Sequence, residues 1–282
     1  MNKLAVALSA LALLATAGAA QARVFPGEKD IPRQLSFGGA CRNCDLSGKK
    51  LVNARFTGAD FGGAVLSRAD LRGASFVGSN FQAAQLSDAN LNGAEMMGSN
   101  FSAADFSGAE LDGVEAAGAV FNRTNFSRAS LEGAELPGVS LASANLTGAN
   151  FRGAELPHAV LTRVAARNAN FRDAELNGAV LVAGDFTDAS FRDAELTGAV
   201  LTRGVFGGAD FRDADLAGAV LYGADLSRAR NLTQHQVGEA CADSSTRLPS
   251  GLTARLCKGR RVVVINNAPS PPKPPPAPKP PR

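Results

Sequence analysis

A large apolar residue recurs at every fifth position of the chain between Leu46 and Leu226. It is Leu or Phe except at Met96, Ala116 and Ala166, and a small residue, most often Ala, stands two positions before it. Five residues advance about 500° around an α-helix, so the apolar residues would wind around every side of it. On a continuous β-strand, the same spacing would place successive apolar residues on opposite faces. The pattern therefore predicts a chain that bends once in every repeat.

Each five-residue repeat is predicted to be a short strand followed by a corner. The small residue and the large residue share the inner face, the residue between them points outward, and pairs such as TG, SG, RG or SR form the corner. Phe recurs at twenty-residue intervals, as at Phe151, Phe171, Phe191 and Phe211. Four repeats should therefore make one lap of a square tube. About nine laps at about 4.8 Å each give a length on the order of 45 Å.

The pattern resembles the pentapeptide repeat family, whose consensus A(D/N)LXX is seen in ANLTGANFRGAEL (144–156) and ADLSR (224–228). The resemblance covers about two-thirds of the chain without a break in phase. It implies an all-β fold, a right-handed quadrilateral β-helix of about nine coils, although the spacing itself does not fix the handedness. Some cytoplasmic members of this family mimic DNA and inhibit DNA gyrase through a rod-shaped acidic dimer.

Residues 1–22 have the features of a secretory signal peptide: a positive start, an apolar run and an Ala20-Gln21-Ala22 cleavage site. We expect cleavage after Ala22 and a periplasmic or secreted protein. The run is too short and too rich in Ala for a confident membrane span, so no stable membrane insertion is expected. Export would separate the chain from gyrase, and arginine columns interrupt its acidic surface. Gyrase binding is therefore the disfavoured alternative, and no nucleic-acid partner is expected.

The rest of the chain divides into four segments. These are an N-terminal lead-in or cap (23–43), the solenoid (44–230), a C-terminal cap (231–260) and a basic, disordered Pro-rich tail (261–282). Thr233 and Gln236 have the spacing of a capping box, with Leu232 and Val237 placed as a hydrophobic staple, which predicts a short helix over the last lap. The Pro-Lys run is typical of an extended polyproline II arm. Such an arm can contact anionic surfaces, and a solubilising role is the alternative.

Two cysteines lie at each end of the repeats. Family members carry similar Cys-bounded tails with an LP-x-GL motif, and this resemblance implies a Cys241–Cys257 disulfide, which would close a loop of about 15 residues and contribute about 3 kcal/mol. Cys41 and Cys44 form a CxxC motif that opens a solenoid instead of a βα unit, which favours a capping disulfide or inert thiols. Thiol-redox chemistry and a metal site at this motif stay open as alternatives.

The sequence contains none of the common catalytic motifs, such as G-x-S-x-G, H-E-x-x-H or a P-loop. Its two histidines, His158 and His235, belong to no motif. We therefore expect no catalytic residues, no cofactor and no metal. The leading interpretation is an exported, non-enzymatic scaffold for protein interactions.

The twenty-residue register should build columns on the surface. One is acidic, with carboxylates about 4.8 Å apart: Glu95, Glu115, Glu135, Glu155, Glu175, Glu195 and Asp215. In the second half, the arginines of the FRDAE repeats (Arg152, Arg172, Arg192 and Arg212) are expected to offset these carboxylates. In the first half, Asp112 and Glu132 take that corner, which predicts an unopposed acidic patch of Glu95, Asp112, Glu115, Glu132 and Glu135. The patch is either a solvated ladder or a site for a cation or a basic partner.

A second column is apolar, with Val160, Val180, Val200 and Val220 at outward positions of one face, beside Val182 and Tyr222. An outward line of valines can reflect β-propensity alone. An exposed apolar stripe is also typical of an association surface. We take this face as the predicted interaction face, either for self-association or for an unknown protein partner.

Overall fold

The computed structural model describes residues 39–257 of the 282-residue chain. The predicted signal peptide, most of the lead-in, residues 258–260 of the predicted C-terminal cap and the Pro-rich tail lie outside the described residues. Within them, the outward residue of each repeat pairs in parallel with the residue twenty positions later, from Ala40↔Asp60 to Asp210↔Arg230. The register never shifts, so the predicted β-helix with four repeats per lap is confirmed.

Each repeat ends in a tight turn with one left-handed residue. In the repeat that contains Leu146, the backbone N–H of Ala149 donates to the carbonyl oxygen of Leu146 across 3.0 Å. The turn residue Gly148 has a φ of +66°, and a positive φ recurs at every fifth position from Asn43 to Gly223. Gly, Asn and Asp tolerate this conformation best, which explains why they are common at the corners.

The Asp or Asn of the consensus fixes the corner and joins the laps. The Oδ1 atom of Asn145 accepts hydrogen bonds from the backbone N–H of Thr147 at 3.1 Å and from its hydroxyl at 2.7 Å. The Nδ2 atom of Asn145 donates to Oδ1 of Asn125, one lap earlier, at 3.0 Å. Asp185 and Asp225 hold their corners in the same way. A short polar side chain at the outward position therefore stabilises the corner in those repeats that carry one.

Stacked rings and leucines fill the interior of the tube. Phe61, Phe81, Phe101 and Phe121 form one stack with centroid separations of 5.2 to 5.4 Å. A second stack of Phe151, Phe171, Phe191 and Phe211 has separations of 5.1 to 5.2 Å. These side chains are buried. The predicted stacking of like residues on like is therefore confirmed.

A short helix, α1 (Gln234–Glu239), follows the last complete lap. The Thr233 hydroxyl accepts from the backbone N–H of Gln236, and the Gln236 side chain accepts from the backbone N–H of Thr233. The Nε2 atom of Gln236 also donates to the carbonyl oxygens of Phe211 and Ala214 at 2.8 and 2.7 Å. The buried glutamine thus satisfies carbonyl groups at the open end of the solenoid, and α1 lies against that end.

The cysteines are paired at both ends of the described chain. The Cα atoms of Cys41 and Cys44 are 5.5 Å apart, and those of Cys241 and Cys257 are 5.4 Å apart. Both separations suit a disulfide. Between residues 39 and 257, no helix has the length and apolar character needed to span a bilayer.

Candidate interaction faces

The outward residues form four vertical files, and two of them are uniform enough to be candidate sites. We call Val160, Val180, Val200 and Val220 the valine file. We call Glu95, Glu115, Glu135, Glu155, Glu175, Glu195 and Asp215 the acidic file. In each file, consecutive members are bridged directly to one another. The valine file and the acidic file lie on adjacent sides of the tube, because their members are five residues apart along the chain.

The valine file forms a continuous but partly covered aliphatic surface. Its four side chains are half-buried, as are Val182 and Tyr222 on the adjoining corner. Val205, on the neighbouring side, is 43% exposed. The four valines are therefore aligned on one side of the tube, and each is only partly accessible to solvent.

The column that contains the valine file continues toward the N-terminus through Ser140 and Val120, and there its surface is inaccessible to solvent. Val120 and Ser140 are fully buried although they occupy outward positions. The hydroxyl of Ser140 donates to Oδ1 of the corner residue Asn122 at 2.6 Å. The same Oδ1 atom accepts from the backbone N–H of Ala142 at 3.1 Å. The accessible aliphatic surface therefore begins at Val160 and extends toward the C-terminal end.

The seven carboxylates of the acidic file are exposed. The expectation that the FRDAE arginines offset them is not met in the described structure. Arg152 pairs with Glu132 at 3.1 Å and Asp173 at 3.4 Å, and Arg172 pairs with Asp173 and Asp193, both at 3.4 Å. These partners lie on the same corner as the arginines, where the guanidinium groups reach the next lap without leaving the corner.

The predicted acidic patch is smaller than expected. Glu132 is not unopposed, because its carboxylate pairs with Arg152 one lap later. The Oδ1 atom of Asp112 accepts from the backbone N–H of Glu132 at 2.9 Å and so holds the corner together. Glu95, Glu115 and Glu135 remain as exposed members of the acidic file. The pair spans the midpoint of the tube, because Arg152 is the first of the arginine column and Glu132 lies one lap before it.

One aspartate near the start of the tube is held by an arginine of its own corner. The Nε and NH2 groups of Arg72 donate to the two carboxylate oxygens of Asp70 at 2.8 and 2.7 Å. These hydrogen bonds favour the charged carboxylate and lower the pKa of Asp70 below its ordinary value.

Two surface depressions lie beside the files. One, of about 580 Å³, is lined by residues that include Arg55, Ser75 and Glu95 at the start of the acidic file. The other, of about 790 Å³, lies between α1 and the last lap, and Asp215 and Glu239 are among its lining residues. Across residues 39–257, no three His, Cys, Asp or Glu side chains are grouped so that they could hold a metal ion.

Parallel bridges twenty residues apart, buried Leu and Phe files and a left-handed corner in every repeat define a β-solenoid built from five-residue units. The model of the family described as pentapeptide repeats matches this chain in 8 copies between residues 41 and 230. The chain therefore belongs to the pentapeptide repeat family.

One solved structure supports the same fold. HetL, a pentapeptide repeat protein involved in heterocyst differentiation regulation from the cyanobacterium Nostoc sp. strain PCC 7120, is 30% identical with a TM-score of 0.61, over 67% of this chain and 83% of HetL. A trypsin-treated form of QnrB1, a plasmid-mediated fluoroquinolone resistance protein, is 21% identical with a TM-score of 0.34, over 73% and 93% of the two chains. A TM-score this low carries no argument about fold or function. Among curated proteins, no significant match was found.

Proposed function

We propose that the protein is an exported, non-enzymatic β-solenoid that acts as a rigid scaffold for protein interactions, and that it binds its partner through the valine file. The single observation that carries this proposal is the line of half-buried valines from Val160 to Val220, flanked by Val182 and Tyr222 on the adjoining corner. Pentapeptide repeat proteins are typically structural or interaction proteins, which supports this reading.

The construction of the tube suits such a role. Backbone hydrogen bonds join every lap to the next, as between Leu146 and Ala165 at 2.6 Å. The buried ring stacks continue through several laps on both sides of the midpoint. A face built on this framework is ordered before any partner arrives, so binding loses little conformational entropy at the interface.

Export is supported by the sequence of residues 1–22 and by the cysteines. Paired cysteines at both ends suit an oxidising compartment such as the periplasm or the extracellular space. We also propose that the coil is right-handed and that the segment boundaries are those predicted from the sequence. In this proposal the two disulfides cap the ends of the tube. A cytoplasmic location in a fractionation experiment would contradict this part of the proposal and would reopen the gyrase-binding alternative.

Site-specific photocrosslinking tests the proposed face. A photoreactive phenylalanine analogue replaces Val200 in the full chain, and a matched variant carries it at Glu175 in the acidic file. We expect a discrete protein adduct of higher mass at position 200 that is lost when Val180 is also replaced by Lys. Light scattering then shows whether the adduct is a second copy of the chain. No adduct at position 200, or the same adduct at position 175, would contradict the proposed face.

A further inference from the structure

We infer that the partner of the valine file is a second copy of this chain, and that the two tubes pack side by side with their axes parallel. The inference names the occupant of the proposed face, so it rests on the proposed function. The charged residues on the two edges of the valine side carry it, because the parallel arrangement brings opposite charges together and the antiparallel arrangement brings like charges together.

One edge of the valine side is basic. Arg163 and Arg203 occupy the corner that follows the valine file along the chain, and Arg123 lies on the same corner two laps before Arg163. All three are exposed, and none of them forms an ion pair with another residue in the range 39–257. The Cγ atom of Arg203 lies 3.4 Å from the position of a Cβ atom added to Gly223, so this side chain extends toward the next lap. We call Arg123, Arg163 and Arg203 the arginine edge.

The opposite edge of the valine side is acidic. Asn177 and Thr197 lie on the corner between the acidic file and the valine file. The Nδ2 atom of Asn177 donates to Oε2 of Glu195 at 2.8 Å, and the hydroxyl of Thr197 donates to Oδ2 of Asp215 at 2.9 Å. These hydrogen bonds hold two carboxylates of the acidic file beside the valine side. The valines therefore lie between carboxylates on one edge and guanidinium groups on the other.

The symmetry of the dimer determines which edges meet. Most homodimers have a two-fold axis, and an axis that brings the same face of two tubes together lies in the plane of the interface. An axis parallel to the tubes places the arginine edge of one copy against the acidic file of the other. An axis across the tubes makes them antiparallel and places arginine against arginine and carboxylate against carboxylate. Like charges facing each other disfavour the antiparallel dimer.

The heights of the charged residues along the tube also match. In the parallel dimer each residue lies at the same height as its equivalent, and a lap of about 4.8 Å is spread over twenty residues. Arg203 therefore lies about 2 Å above Glu195 and about 3 Å below Asp215 of the second copy. The other two arginines have the same relation to carboxylates, Arg163 to Glu155 and Glu175, and Arg123 to Glu115 and Glu135. Each arginine of the edge thus faces a pair of exposed carboxylates.

The apolar contact lies between these charged edges. Each member of the valine file meets its own equivalent in the second copy, and Val182 and Tyr222 adjoin the contact on the arginine side. The valine file extends over three lap spacings, about 14 Å. A contact of this length is smaller than the interface of a permanent dimer. We therefore expect a weak dimer whose copies separate on dilution.

Cysteine crosslinking tests the parallel arrangement. Val160→Cys and Val220→Cys are made separately in the full chain with its native disulfides intact, and a short bismaleimide links thiols that lie close together. We expect a covalent dimer from each variant alone. When the two variants are mixed, with a mass tag on one, no mixed dimer should form, because the two positions are about 14 Å apart along the tube. Ser190→Cys, on the opposite side of the tube, is the matched control and should form no dimer.

Three results of this experiment would overturn the inference. A mixed dimer in place of the two homodimers would show an antiparallel contact. A link at position 220 without a link at position 160 would show a contact through the ends of the tubes. No dimer from either variant at protein concentrations up to about 1 mM would show that the valine sides do not associate.

Charge reversal tests the two edges independently of the valines. Arg163→Glu with Arg203→Glu makes both edges acidic, and Glu175→Arg with Glu195→Arg makes the acidic edge basic. In analytical ultracentrifugation, each variant alone should associate at least about tenfold more weakly than the native chain, because attractive contacts on both edges of the dimer become repulsive. An equimolar mixture of the two variants should associate as tightly as the native chain, because opposite charges meet again on both edges.

Arg128→Glu with Arg228→Glu is the matched control, because it changes the net charge equally on a corner away from the valine side. This control should associate like the native chain. Unchanged association of the two reversed variants, or failure of their mixture to regain it, would overturn the inference.

The inference and the proposed function can fail separately. An adduct of a different protein at position 200, with no dimer of this chain, would contradict the inference and support the proposed function. Linked copies in the parallel arrangement, with no adduct to any other protein, would support the inference and contradict a scaffold role toward other proteins.

Discussion

The ring of Phe186 packs directly against the backbone of Gly184 in the core of the tube. A Cβ atom added to Gly184 would lie 2.5 Å from Cε2 of Phe186 and 3.1 Å from Cγ2 of Val164. The ring of Phe186 stacks on Phe206 at 5.2 Å and cannot move without disturbing that neighbour. We therefore expect Gly184→Ala to lower the free energy of unfolding by about 1 to 3 kcal/mol, the usual cost of overpacking.

Urea unfolding followed by circular dichroism measures this loss. Gly207→Ala is the matched control, because nothing lies within 4 Å of its added Cβ atom and its φ is not in the left-handed region. The control should stay within about 0.5 kcal/mol of the native chain. Equal unfolding midpoints for the two variants would mean that the ring of Phe186 does not occupy the place described.

Ala183 adopts a φ of 55°, where a side chain with a Cβ atom is disfavoured. Ala183→Gly should raise the free energy of unfolding by about 0.5 to 1 kcal/mol, because the left-handed cost of about 1 to 2 kcal/mol exceeds the entropic cost of glycine. Ala217 occupies the first corner position of its turn, without a positive φ. Ala217→Gly should lower the midpoint of thermal unfolding, and a rise in both variants would contradict the backbone explanation.

Asn145 holds its own corner through Thr147 and links that corner to the adjacent lap through Asn125. Two substitutions can separate these roles. Asn145→Ala removes the hydrogen bonds to Thr147 and Asn125, which should cost about 1 to 3 kcal/mol. Asn145→Asp keeps the acceptor for Thr147 but loses the Nδ2 donor to Asn125. We expect its unfolding midpoint to lie between those of the native chain and the alanine variant. A midpoint equal to that of Asn145→Ala would mean that the acceptor for Thr147 contributes nothing and that the link to Asn125 accounts for the whole loss.

The lowered pKa of Asp70 predicts that a small part of the folding stability is lost in acid. Hydrogen bonds from Arg72 lower the pKa of Asp70 in the folded chain. A lowered folded-state pKa adds stability above the unfolded value of about 3.9, and this stability is lost as the pH falls through the folded value. Arg72→Gln should therefore lower the melting temperature at pH 6 but not near pH 2. A difference that persists at pH 2 would exclude this ionisation as the cause.

The period of five predicted the β-helix because it constrains every repeat in the same way. It identified the buried ring stacks, such as that of Phe171 and Phe191, and the outward position of Val180. It could not predict that Ser140 is buried, because this depends on how the corner residue Asn122 folds over the adjacent side. Long flexible side chains were the least predictable, and Arg152 reached corner carboxylates instead of the acidic file.

The unbroken pairing of residue i with residue i+20 also constrains how the gene can change length. Duplication or loss of sixty bases would add or remove one whole coil and leave each column aligned, as the near-copies FRDAELNGAV and FRDAELTGAV illustrate. Loss of fifteen bases ahead of Val200 would turn the remainder of the rod by a quarter and bring Val200 into line with the glutamates of the acidic file. Duplications and deletions are therefore tolerated in steps of twenty codons. Such steps would change the length of the rod while the residues on each side stay aligned.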